Sequence, residues 1–165
     1  LRSWVSGPVG GEPHRTSSCR GGSSCRCGIA VDAVGTAREL HADIALPVSA
    51  IADFVATTDA ALLRGFPGVR LVNFGHLGDG NLHYNVQAPE GADAAAFLRD
   101  HEQAVNTLVY DAVGRFAGSI SAEHGVGALK RDELAQRKSP VALGMMRAIK
   151  QALDPHGLLN PGRVL

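Results

Sequence analysis

A chain of 165 residues, 45% of them hydrophobic, can bury one core of ordinary size, and its composition is not that of a fibre, a coiled coil or a disordered tail. Sixteen Lys and Arg balance sixteen Asp and Glu, so there is no electrostatic footprint for nucleic acid or an anionic membrane, and no nucleic-acid partner is expected. No apolar run reaches the roughly 20 residues of a transmembrane segment, and the first residues lack the apolar stretch of a signal peptide; the expected location is cytoplasmic.

Residues 1–30 show neither the period of a strand nor that of a helix, and read as a poorly ordered leader ahead of a single domain over 31–165. All three cysteines fall in CRGGSSCRC, 19–27; the spacing lacks paired C-x2-C knuckles and only His14 stands near as a further ligand, so reduced thiols are expected there rather than zinc. HADIALP, 41–47, predicts a short strand closed by Pro47. A helix follows, with Ser49 as N-cap, Ile51, Phe54, Val55 and Leu62 at helical spacing, and Gly65 at its end.

VRLVNF, 69–74, is strand-like, and NLHYNVQ, 81–87, alternates strictly: Leu82, Tyr84 and Val86 face one way, Asn81, His83, Asn85 and Gln87 the other. GHLGDG between them suits a hairpin loop. A long helix is expected over about 92–116, on a stripe that includes Phe97, Val105, Leu108, Val109, Val113 and Phe116. GSISAEHGVGALK, 118–130, predicts a brief strand and then a second glycine loop. Ser139-Pro140 starts a last helix whose Met145, Met146, Ile149 and Leu153 are expected to point inward. Strands and helices mixed without a parallel βαβ rhythm give the fold class α+β, an antiparallel sheet covered by helices.

A hairpin can bring His76 and His83 side by side on one face of the sheet, and two neutral imidazoles held together suit a divalent metal with a carboxylate as third ligand. Glu123 is the best-placed acid, because it sits in the other glycine loop after a predicted strand. Asp79, inside the hairpin tip, is its rival as ligand, although loop-forming by hydrogen bonds to backbone N–H groups is its more ordinary role. The spacing of His76 and His83 equally fits two half-exposed surface histidines. His14, His41, His101 and His156 lack such surroundings and read as ordinary.

The ordered motifs GHLGDGNLHYNV, ISAEHGVGALKRDEL and LDPHGLLNPGRVL resemble the C-terminal domain of FAD-linked 2-hydroxy acid dehydrogenases and oxidases, a family that includes cytochrome-type D-lactate dehydrogenase, the flavin subunit of glycolate oxidase and D-2-hydroxyglutarate dehydrogenase. The resemblance covers about 37–165. It implies FAD as cofactor and a divalent metal, Zn, Mn or Fe, held by His76, His83 and Glu123. It further implies Asn85 as a substrate contact, His124 as the catalytic base beside the flavin, and Asn160 and Gly162 as part of a closing segment near the flavin. The implied reaction oxidises a D-2-hydroxy acid to a 2-oxo acid by hydride transfer to flavin, with electrons leaving to a separate acceptor. No segment matches the family's N-terminal flavin domain, so the chain is expected to be the substrate and metal part, inactive alone. Where hydroxyglutarate-type members carry a basic substrate-holding residue before the DIALP strand, this chain has His41. The alternative is a stand-alone metal-binding module, or a metallohydrolase using the same two histidines and one glutamate.

Overall fold

The computed structural model describes residues 3–6 and 39–165. The described elements are β1 (Ser3–Ser6), β2 (Glu39–Ala45), α1 (Ile51–Gly65), β3 (Arg70–His76), β4 (Asn81–Gln87), α2 (Ala94–Arg115), α3 (Arg131–Arg137) and α4 (Pro140–Leu153). The strands form one antiparallel sheet in the order β1-β3-β4-β2, and the α+β class expected from the sequence is the class observed. The cysteine segment 19–27, His14 and most of the leader lie outside the described residues. Ser3–Ser6, however, pairs with β3 from Asn73 to His76, where the sequence carries no strand signal. Backbone N–H and C=O groups suffice to extend an exposed strand edge, so such pairing needs no apolar alternation.

One face of the sheet makes the core. Leu40, Ala42 and Ile44 of β2 and Leu82, Tyr84 and Val86 of β4 are buried together with Phe54, Val55 and Leu62 of α1 and Val105, Val109 and Val113 of α2. Phe54 meets both Tyr84 and Phe116 edge-on, with ring centroids 5.7 and 5.8 Å apart. Beneath this layer the Tyr84 hydroxyl donates to Asp59, which also accepts from Asn73 Nδ2 at 3.3 Å. Burial raises the Asp59 carboxyl above its ordinary pKa, although those two donors oppose the shift.

Several local expectations need correction. A 3-10 turn, Val48–Ala50, precedes α1, so Ser49 lies inside that turn, and the α-helix begins behind Ala50 with no side-chain cap. Asp93 caps α2, accepting from the N–H groups of Ala95 and Ala96. Between α2 and α3 the expected strand is reduced to a single bridge, Ser119 opposite Ala45. The short α3 buries only Leu134, which leaves no stripe for periodicity to detect. Ser139 caps α4 as expected, accepting from Ala142 N–H with Pro140 behind it. Its apolar face is nevertheless outward: Leu143 is buried and Met146 packs at the edge of the core, but Met145, Ile149 and Leu153 are exposed.

Two glycines shape the hairpin. A side chain at Gly75 would put a Cβ 2.2 Å from the Asn81 carbonyl oxygen, inside contact distance. Gly80 has φ +71°, and a Cβ there would meet the Leu46 carbonyl oxygen at 2.2 Å, so the return into β4 requires glycine.

Candidate functional site

The second face of the sheet is polar and is roofed by the loop that follows α2. In register, His41 and Asp43 of β2 stand opposite Asn85 and His83 of β4, and Phe74 of β3 stands opposite His83 on the other side. Alternation then puts His76 on the same face as Phe74, diagonal to His83. The sheet itself thus brings His76 and His83 together across the hairpin.

Glu123 reaches this pair from the roof. Its Oε1 lies 3.1 Å from His76 Nδ1, and its Oε2 lies 3.7 Å from His83 Nε2. His76 Nδ1 is also 3.4 Å from Asn81 Nδ2. The His76 and Glu123 side chains are 49% and 44% exposed, while His83 is buried, so the convergence forms an open rim with one histidine at its floor. Asp79, the rival acid, is exposed in the 3-10 turn Leu77–Asp79 and forms no ion pair among the described residues.

Behind the rim, three imidazoles make a cluster. His41 stacks on His83 and on His124, each with centroids 5.2 Å apart, and His83 and His124 lie 5.6 Å apart. Burial, helped by repulsion from His41, lowers the pKa of His83 and favours its neutral ring. His41 Nδ1 sits 2.5 Å from Asn85 Oδ1, and Asn85 is itself buried.

Asp43 holds the roof in place. Its Oδ2 accepts from the backbone N–H groups of His124, Glu123 and Ala122 at 2.8, 2.9 and 3.1 Å. Burial alone would raise this carboxyl, but those three donors prevail and hold it below the ordinary aspartate value. The ammonium of Lys130 donates to the carbonyls of Ile120 at 2.7 Å and of Asp43 at 3.2 Å, tying loop to strand from the other side. Burial lowers the Lys130 pKa, with the Asp43 charge opposing.

The closing segment reaches the same loop. Val164 N–H donates to the Gly127 carbonyl at 2.8 Å, and Arg131 Nη1 donates to the Gly162 carbonyl at 3.3 Å. Asn160 and Gly162 are exposed, both with left-handed backbone, φ 47° and 70°. Two clefts of about 470 and 480 Å³ lie away from the rim; the second runs along the β2 edge and touches His41 and Lys130.

Two donor sets share His83. His41, His83 and His124 keep their donor atoms within 4.8 Å of one another. Their rings are stacked at 23–34°, so the in-plane lone pairs run side by side rather than toward one point. In the other set, His76, His83 and Glu123, the two imidazoles approach different carboxylate oxygens, Oε1 at 3.1 Å and Oε2 at 3.7 Å.

Sequence reasoning missed two participants. His41, ordinary by its local sequence, stands at the centre of the imidazole cluster, and Asp43, which carries no local signal of its own, anchors the roof. The available signal was the alternation in HADIALP, which puts His41 and Asp43 on one face and Ala42 and Ile44 on the other.

The family of FAD linked oxidases, C-terminal domain, matches residues 30–164. The D-2-hydroxyglutarate dehydrogenase of Xanthomonas citri pv. viticola is 45% identical over 122 residues, covering 74% of this chain and 26% of the relative. That of Stutzerimonas stutzeri is 41% identical over 122 residues, again 74% and 26%. The mitochondrial D-2-hydroxyglutarate dehydrogenase of Arabidopsis thaliana is 42% identical over 125 residues, 74% of this chain and 20% of the relative. The chain thus spans about a quarter of the length of the curated relatives it matches.

Proposed function

Since the chain belongs to the family of FAD linked oxidases as their C-terminal domain, we propose that it is the substrate- and metal-binding part of an FAD-dependent oxidoreductase that converts a D-2-hydroxy acid to the 2-oxo acid. The names of the relatives point to D-2-hydroxyglutarate as the first substrate to try. The observation that carries the proposal is the meeting of His76 Nδ1, His83 Nε2 and the Glu123 carboxylate on an open rim. These three would hold a divalent Zn, Mn or Fe ion.

A divalent cation held by these residues would supply acidification of the substrate hydroxyl, and a flavin would supply the acceptor for the C2 hydride. His124, beside the rim and itself outside the donor set, takes the hydroxyl proton on an imidazole nitrogen. Asn85 would contact the substrate, and its side-chain oxygen lies 2.5 Å from His41 Nδ1 on the same face. Asn160 and Gly162 would face the flavin, an assignment supported by their exposure and by the bonds joining their segment to the loop that carries His124. Electrons would then pass from the flavin to a separate acceptor. No described helix is long and apolar enough to cross a membrane.

Complementation tests this. The chain is co-produced with the flavin-binding part of a curated relative, and flavin absorbance is followed anaerobically on addition of D-2-hydroxyglutarate. Bleaching that requires this chain and is lost on chelation is the expected result. A folded complex with bound flavin that no D-2-hydroxy acid reduces would overturn the proposal.

A further inference from the structure

We propose that Asp43 is the positioning residue of the site: one carboxylate oxygen fixes the Glu123–His124 loop, and the other accepts Nδ1–H of His83, which turns the His83 Nε2 lone pair toward the rim. The role assigned to that lone pair rests on the proposed metal site; the pairing of Asp43 with His83 does not.

Asp43 and His83 are directly opposite in the β2–β4 register, and both are buried. The two oxygens of Asp43 are treated unequally. Oδ2 gathers three backbone N–H groups and lies 3.4 Å from Ser121 Oγ. Oδ1 is buried with no hydrogen-bond partner among the described residues, and it lies 3.8 Å from His83 Nδ1. A buried anionic oxygen without a donor is costly, and about 1 Å of closure would convert this contact into a hydrogen bond.

The two ring nitrogens of His83 face two different carboxylates, Nδ1 toward Asp43 and Nε2 toward Glu123 at 3.7 Å. A neutral ring has one proton to give. The Glu123 side chain is 44% exposed and its field is weakened by water, whereas that of Asp43 is 1% exposed and acts through protein. The proton therefore belongs on Nδ1, leaving Nε2 unprotonated toward the rim. A carboxylate behind a metal-binding histidine commonly sets its tautomer and raises its basicity in this way. Asp43 differs in serving two ligands at once, because the loop it anchors carries Glu123. The Glu123 carboxylate and the His83 ring are thus referred to one buried side chain.

The test is the tautomer of His83 in the whole chain labelled with 15N-histidine, read by long-range proton–nitrogen correlation above pH 7, together with a cobalt(II) titration. Wild type should show Nδ1–H. Asp43→Asn keeps an oxygen for the loop N–H groups but turns an amide N–H toward His83; it should move the ring to Nε2–H and weaken cobalt(II) binding by roughly 10- to 100-fold. An Nε2–H tautomer in wild type would overturn the proposal, as would an Asp43→Asn chain with unchanged tautomer and affinity. Should Asp43→Asn fail to fold, the wild-type tautomer decides alone. Nδ1–H in a wild-type chain that binds no cobalt(II) would support the Asp43–His83 pairing and count against the metal site instead.

Discussion

On the sheet, Asp43 and His83 are 0% and 2% exposed; on the outer side of α4, Val141 and Leu153 are 75% and 76% exposed. Charged and polar groups lie inside while aliphatic ones lie outside, against the usual ordering of burial. Part of the polar face has partners for burial, three N–H groups on Asp43 Oδ2 and His41 beside Asn85, while Asp43 Oδ1 has no hydrogen-bond partner among the described residues. Val141, Met145, Ile149 and Leu153 recur every fourth residue, so they form one stripe along α4, and among the described residues nothing covers it. Periodicity reveals which side of an element is apolar; whether that side is covered depends on the rest of the fold.

Substitutions should separate the two regions by size of effect. Asp43→Ala removes the shared acceptor of Ala122, Glu123 and His124 and is expected to lower stability by about 3 kcal/mol in urea unfolding. Tyr84→Phe, which takes one donor from the buried Asp59, should cost about 1–2 kcal/mol in the same assay. Leu153→Gln and Met145→Gln should each stay within about 0.5 kcal/mol of wild type, as befits side chains that bury little. A loss above about 1.5 kcal/mol for either would show the stripe to be covered and remove the contrast.

A pH-dependent effect is expected at Asp154, at the end of α4. Its side chain accepts from the Lys150 ammonium and from Leu158 and Leu159 N–H, and these hold its pKa down to about 2. Because the folded value lies below the unfolded 3.8, the contribution is complete above 3.8 and is lost as pH falls through about 2. Asp154→Asn should lower stability in the neutral region, flatten the acid limb of a stability–pH curve and converge on wild type as pH falls through about 2.

Much of this could be read from the chain. The hairpin was legible because β4 alternates strictly and glycines flank the turn, and the pairing of Glu123 with His76 and His83 followed from two glycine loops at strand ends. The roles of Asn85, His124, Asn160 and Gly162 came only from family resemblance, since each is chemically ordinary in its local sequence. Asp43 stayed hidden because its partners are about 80 residues away, and no local spacing reveals a strand register or the backbone groups of a distant loop. His41 stayed hidden for the same reason, being 44 residues from Asn85. The strand Ser3–Ser6 pairs with β3 although its sequence shows no strand period.

The most direct measurement is a cobalt(II) titration of the purified chain, followed by its absorption spectrum, beside His76→Ala, His83→Ala, Glu123→Ala and His124→Ala. One equivalent should bind to wild type. Affinity should fall at least about tenfold in each of the first three variants and stay within about threefold in His124→Ala. Absence of saturable binding to wild type, or loss of the ion in His124→Ala with retention in Glu123→Ala, would contradict the site described here.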